Sequence, residues 1–393
     1  MPRSRWSQGV AVLMAASMLL AACGKDKKTE TGSTDKKTVT IAFVGAQTGD
    51  NANLGLNISN AAAMAIEEAN IKGDLPVKVV LKPFDTQGLP EQAGNLKDKV
   101  VSDKTVVAII GPAFSGESKA ANPTFNQAGI PLISPSATNP TLSQQGWKVF
   151  HRVLANDTAQ GTEDAKYMAK GIKATAIAYI HDNSEYGKGL ADVLKGAAEG
   201  LAVKTAMYEA VDPKGTDYSA AVNKVKASKA PVVFYGGYYA EAGRLAKQLR
   251  DAGVTATFVS GDGSKDPGFV ESAGAAAAEG AELTCPCADP SVATDPASMA
   301  FTAAYTKKYG KAPGTYSAEG YDAANIFLAA IRAGKTTPAD ILTWVNSEMG
   351  TFKGVTKDIA FTKEGEITTG SVYIYTVKGG KITVKGTTTD LAK

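Results

Sequence analysis

Gly111-Pro112-Ala113-Phe114-Ser115 and Ser134-Pro135-Ser136-Ala137-Thr138 place hydroxyls and peptide N–H groups where two hydrophobic runs end. Ser115-Gly116-Glu117-Ser118 can open a helix with Ser115 as its N-cap. Free N–H groups and hydroxyls at a helix start bind a small anion without a cationic side chain, and a carboxylate is the natural guest. A purely local reading stays open beside this one, in which Ser115 only caps its helix and Thr138 only closes a turn. Gly261-Asp262-Gly263 supplies the opposite charge: a carboxylate between two glycines can approach a ligand closely, and an ammonium is its partner. Tyr238, after Gly236-Gly237, brings a phenol that can cover or hydrogen-bond such a ligand. Asp262 alone is equally a turn residue. Taken together, the groups can grip a zwitterion at both ends.

Groups that would react with it are missing from the sequence pattern. His151 and His181 are the only histidines; each adjoins an apolar run and reads as structural. No nucleophile elbow accompanies His181-Asp182, and neither a phosphate loop nor a dinucleotide fingerprint opens a helix. Asp262 to Asp266 is too short and too poor in acids for a calcium loop. Cys285 and Cys287 lack the further ligands that zinc requires; a disulfide across Cys-Pro-Cys and two reduced thiols are both open. Tyr235, Tyr238 and Tyr239 cluster without the basic surroundings that nucleic acid needs. The expectation is a non-enzymatic binding protein with no metal, no cofactor and no nucleic-acid partner.

The elements that must position these groups alternate along the chain. Apolar runs at 39–45, 77–84, 106–111, 130–134, 149–153, 175–181, 203–208, 231–235 and 257–260 are separated mostly by helical patterns, among them 54–70, 90–101, 186–199, 217–228 and 239–252. Buried Val/Ile/Ala/Phe runs alternating with amphipathic helices predict βαβ units and parallel sheets. Strands in this number exceed one compact sheet, so two doubly wound lobes are expected. The tail departs from the pattern: Asp295 caps a helix over 296–309, a second helix runs over 321–333, and 371–377 with 381–385 form a hairpin around Gly379-Gly380. Open parallel sheets bind ligands beyond the carboxyl ends of their strands, where the polar stretches lie.

The first residues decide the compartment. Arg3 and Arg5 precede an apolar stretch from Gly9 to Leu20, then Leu20-Ala21-Ala22-Cys23. That order is a secretory signal, too short to span a membrane. The tetrapeptide resembles a bacterial lipobox, in which the cysteine is diacylated and becomes the first mature residue; cleavage near Ala22 with Cys23 incidental is the plainer alternative. Gly24 to Lys37 has no apolar residue and reads as a tether holding the body about 20 Å from the lipid. The formal charge of +3 in 393 residues falls to about +1 without Arg3 and Arg5, giving no pull toward nucleic acid or acidic partners.

From Thr38 to the C-terminus the chain resembles the branched-chain amino acid (leucine/isoleucine/valine) binding proteins of ABC importers. The carriers are Val39–Gly45 with Gly49, Gly111–Ser115, Ile133–Pro140, His181-Asp182 with Tyr186–Gly189, and Phe234–Tyr238. The resemblance implies a type I periplasmic binding protein: two α/β lobes joined by a three-crossover hinge near Ala155, Thr284 and Thr368. The implied division is signal peptide 1–22, lipid-anchored tether 23–37, lobe 1 at 38–155 and 285–367, and lobe 2 at 156–284 and 368–393. It implies that Ser115 and Thr138 hold the ligand carboxylate and that the Ser136 backbone lies near the ammonium. Tyr186, Tyr238 and Asp262 then close from the second lobe, with Asp262 on the ammonium. Asp262 stands where close family members carry glutamate, Leu54 near an aromatic position, and Phe114 at one position of a disulfide found in some relatives. The implied function is capture of an amino acid by lobe closure and delivery to ABC permease subunits, at the periplasm or cell surface. Short amides, urea-like solutes or aromatic acids as ligands, and a sensor as partner, are the alternatives.

Overall fold

The computed structural model of the protein describes residues 36–393 apart from 288, 291 and 369. The signal peptide, Cys23 and the tether up to Asp35 lie outside the described residues. Thr38–Gly45 (β1), Lys78–Asp85 (β2), Val106–Ile110 (β3), Leu132–Ser134 (β4) and Phe150–Arg152 (β5) form one sheet, and all of its pairings are parallel. After Thr38 every residue of β1 is buried, as is the whole of β3. Helices cover both faces, which is why these strands read as unbroken apolar runs.

Ala176–His181 (β6), Lys204–Ala210 (β7), Val232–Gly236 (β8), Thr257–Ser260 (β9) and Glu282–Cys285 (β10) start the second sheet. The chain then returns to the first lobe for the helices Pro296–Tyr309 and Ser317–Arg332 and a small ribbon of Phe352–Lys353 (β11) and Asp358–Ile359 (β12). It ends in the second sheet with the antiparallel pair Tyr373–Lys378 (β13) and Lys381–Thr387 (β14). The strand orders are β2-β1-β3-β4-β5 and β14-β13-β10-β9-β8-β6-β7. The parallel part of each sheet therefore reverses its order once, beside β1 in the first and beside β6 in the second, and such switch points open the crevice for a ligand.

The helix over 296–309 has its expected cap, with Asp295 Oδ1 accepting from the Ser298 N–H at 2.9 Å. The next helix begins at Ser317, four residues before the expected start, because its first turn is buried against Ala52–Lys72. Gly320 permits that approach: a Cβ there would lie 2.8 Å from the Ile58 carbonyl oxygen. The strand β10 was not legible as a strand; it fills the gap between parallel β9 and antiparallel β13. Cys285 at its end is joined to Cys287 by a disulfide. Among the described residues no helix is long and apolar enough to cross a membrane.

Candidate ligand-binding site

Five of the six residues singled out as ligand-binding come together. Ser115, Ser136, Tyr186, Tyr238 and Asp262 line one small cavity with Phe114, Gly263 and Tyr316. Each follows the carboxyl end of a parallel strand or opens the next helix: Ser115 after β3, Ser136 after β4, Tyr186 after β6, Tyr238 after β8 and Asp262 after β9. Thr138 stands just outside the lining, fully buried beside the Asp157 carboxyl group, and its Oγ1 makes no hydrogen bond within 3.5 Å.

On the first lobe, the N-cap of Ser115–Ala128 is Phe114, not Ser115 as expected. The reason is Glu117, whose carboxylate reaches back to accept the Phe114 N–H at 2.8 Å, so the helix starts one residue earlier. Ser115 is thereby the first helical residue, and its hydroxyl accepts from the Asn139 N–H at 3.2 Å. The Ser136 hydroxyl donates to the Ala113 carbonyl at 2.6 Å, which ties the two polar loops together. Arg152, fully buried at the end of β5, fixes the loop that carries Thr138. Its guanidinium donates to the Ala137 and Asn139 carbonyls at 2.7 and 3.1 Å and to Glu366 at 2.8 Å.

On the second lobe, Asp262 is 1% exposed and accepts hydrogen bonds from the Tyr186 hydroxyl at 2.8 Å and from the Tyr316 hydroxyl. Gly263 is required here for a reason the sequence hid. Its N–H donates to Tyr186 Oη at 2.9 Å, and a Cβ would lie 2.7 Å from the Tyr186 ring. The space beside Asp262 thus belongs to a tyrosine as well as to a ligand. Burial pushes the Asp262 carboxyl above its usual range, and the two phenols oppose that push. Burial, then the Asp262 charge, pushes Tyr186 and Tyr316 far up, so both stay protonated donors.

Tyr316 was missed because it belongs to neither a strand end nor a periodic helix. It sits in the left-handed region at φ 67°, immediately before Ser317–Arg332, and reaches Asp262 from the opposite lobe. Asp157, Gln160 and Asp164 were missed too, although their spacing along Asp157–Lys166 puts them on adjacent turns. All three are buried. Thr284 links two of them: its hydroxyl donates to Asp164 Oδ2 at 2.7 Å, and its Oγ1 accepts from Gln160 Nε2 at 3.0 Å. Burial, then the nearby Asp262 charge, raises Asp157 to about 8.

The lobes meet around the site. The rings of Phe114 and Tyr238 lie 4.7 Å apart, Asn139 Nδ2 donates to the Glu185 carbonyl at 2.6 Å, and Asn53 Nδ2 donates to Asp266 at 2.9 Å. The cavity left among the site residues is about 10 Å3, space for about one water molecule. An amino acid is much larger, so access requires the lobes to part or Tyr238 to swing aside. Neither histidine takes part. His151 is fully buried against Asn346 at 2.8 Å, and His181 Nδ1 accepts from the Asn183 N–H.

Two doubly wound lobes with polar groups facing each other from both sets of strand ends define a type I periplasmic binding protein. The chain belongs to the periplasmic binding protein family, whose family model matches residues 38–381. The Leu/Ile/Val-binding protein BraC3 of Rhizobium johnstonii is 31% identical over 347 residues, 88% of this chain and 93% of that protein. Among solved structures, the branched-chain amino acid transporter substrate binding protein LivJ of Streptococcus pneumoniae, in complex with isoleucine, matches with a TM-score of 0.82 and 28% identity. That match covers 89% of this chain and 99% of LivJ. The leucine binding protein LivK of Thermotoga maritima matches with a TM-score of 0.81 and 27% identity, over 89% of this chain and 98% of that one.

Proposed function

We propose that the protein is an extracytoplasmic substrate-binding lipoprotein that captures a branched-chain aliphatic amino acid and delivers it to an ABC permease. One observation carries the reading: Ser115 and Ser136 on one lobe face Asp262 and Tyr186 on the other across a single cavity. Ser115 and Thr138 hold the ligand carboxylate, the Ser136 backbone lies near the ammonium, and Asp262 takes the ammonium, with Tyr186 and Tyr238 closing from the second lobe. Lobe 1 comprises 38–155 and 285–367, and lobe 2 comprises 156–284 and 368–393. A ligand that touches both lobes favours the closed state by its differential affinity for it. Relatives named as Leu/Ile/Val-binding proteins support the branched-chain assignment. The protein has a binding role and no catalytic one, and Cys23 anchors it to the membrane beside its permease.

The test is a thermal-shift screen against all amino acids, short amides and aromatic acids. A ligand at about 100 times its Kd stabilises by about 2.7 kcal/mol. The expected result is a shift with leucine, isoleucine or valine. Flat melting curves for every amino acid, from protein shown to be free of ligand, would overturn the reading.

A further inference from the structure

A second cavity, of about 820 Å3, opens on the far side of Tyr238 between the two lobes. Its lining carries five carboxyl groups, Asp50, Glu91, Asp182, Asp212 and Glu241, against the single cation Lys214. None of the five is in an ion pair with a described residue within 4 Å. Asp50, Glu91 and Asp212 are exposed at the rim, while Asp182 and Glu241 are 5% and 4% exposed and form the floor. Arg244, one turn beyond Glu241, donates to the Pro213 carbonyl at 2.8 Å, and its charge also acts on Glu241 without forming an ion pair within 4 Å.

Two acceptors in this lining are buried and lack any donor, Glu241 Oε2 and Asn51 Oδ1. A buried acceptor left without a donor costs free energy that a suitable guest recovers. Only a guest rich in N–H donors and poor in acceptors suits a wall of carboxylates and a bare amide oxygen, and ammonium and guanidinium groups are donor-only. A divalent metal fits less well, since no group of three or more His, Cys, Asp or Glu among the described residues is placed to hold one.

We propose that this cavity is a cation subsite, in which Glu241, Asp182 and Asn51 receive the ammonium or guanidinium of a small organic solute. Tyr238 lines both this cavity and the zwitterion site, so one solute can occupy the two together once that ring moves. A cationic side chain of the bound amino acid and a separate organic amine present the same chemistry. The first source rests on the amino-acid reading above; the second does not. Burial raises Glu241 to about 7, against the opposing pull of the Arg244 charge and the Asn51 side chain, and raises Asp182 to about 6.

Calorimetry on the full-length protein separates the cases, with L-leucine, L-lysine, L-norleucine (lysine without its side-chain ammonium) and putrescine as probes. L-lysine is expected to bind at least about tenfold more tightly than L-norleucine, the value of one charge-assisted hydrogen bond. Glu241→Gln, close in shape, removes that preference while leaving the leucine affinity in place, and Asp182→Asn reduces it independently. Putrescine heat that persists in saturating L-leucine and vanishes in Glu241→Gln places the cation on a separate molecule and equally upholds the subsite. The proposal is overturned if L-lysine gains nothing over L-norleucine and putrescine gives no heat, or if both variants keep the wild-type preference. Should all amino acids fail while putrescine binds through Glu241, the subsite stands and the amino-acid reading falls.

Discussion

Replacing Asp262 by asparagine tests the core of the binding mechanism. Asp262 is a fully buried carboxyl whose hydrogen-bond partners, Tyr186 at 2.8 Å and Tyr316, are neutral. In the proposed binding mode a ligand ammonium is the cation that completes it. Losing one partner of a buried charge pair costs about 2–5 kcal/mol, which weakens leucine binding from about thirtyfold to several thousandfold. Asparagine keeps the shape, and the tyrosine hydroxyls can turn to accept from its amide, so the fold survives. Removing a buried charge also lifts its desolvation cost, so the ligand-free variant melts at or above the wild-type temperature. That pairing, weaker binding with undiminished stability, separates a ligand-holding residue from a structural one. Calorimetry with L-leucine and with 4-methylpentanoate, the same skeleton without the ammonium, reads it directly: leucine affinity falls and 4-methylpentanoate affinity does not. A leucine Kd unchanged within about threefold would refute the assignment of Asp262 to the ammonium.

Three further outcomes are expected. Tyr316→Phe deletes one donor to Asp262; leucine binding weakens by about tenfold, the value of a hydrogen bond to a charged group, and its acid limb moves to higher pH because the carboxyl loses a bond that held its pKa down. An unmoved acid limb in the binding–pH profile would count against the contact. Burial raises Glu117 from its ordinary 4.5 to about 7, so between those values the folded chain binds more protons there than the unfolded chain, and stability falls as pH rises through the window. The full contribution is about 3 kcal/mol; Glu117→Gln flattens that part of the Tm–pH profile, and a variant with the wild-type slope would contradict it. Cys23→Ala releases the protein from the membrane fraction while leucine affinity is unchanged; retention of the variant on membranes would argue against anchoring through that cysteine.

What the sequence made legible was what is local. The apolar runs of β1, β3 and β8 are buried on both faces, so each reads as a strand without knowledge of its neighbours. Ser115, Tyr238 and Asp262 were visible because each follows such a strand, where an open parallel sheet exposes its loop, whereas Tyr186 entered only through the resemblance. The N-cap of Ser115–Ala128 was misread because Glu117, three residues on, satisfies Phe114 N–H and takes the capping role from Ser115. Tyr316 was invisible for another reason. Its place beside Asp262 depends on a helix packed against Ala52–Lys72 and on a left-handed residue at its start, and neither leaves a periodic trace. Asp157, Gln160 and Asp164 sit on a helix whose exposed face is also polar, so their burial could not be told from the pattern alone.

These missed residues change how Asp262 must be understood. The resemblance set out above implies a glutamate at this position in close family members, and aspartate, one methylene shorter, would on that ground alone have a reduced reach toward an ammonium. In this molecule the carboxylate is instead drawn between two phenols from opposite lobes, and Tyr316 can donate to it only when the lobes are together. In the proposed closure motion the hydrogen bond from Tyr316 forms only when the lobes meet. A carboxylate has about four acceptor positions, more than the two phenols occupy. Closure thus positions the shortened side chain while leaving it able to accept from an ammonium. The same hydrogen bond offers an equilibrium contribution to closing that does not depend on the ligand's side chain. Tyr238 lines both the small cavity at Asp262 and the acidic cavity beyond it, so a ligand side chain held at Asp262 would meet that ring.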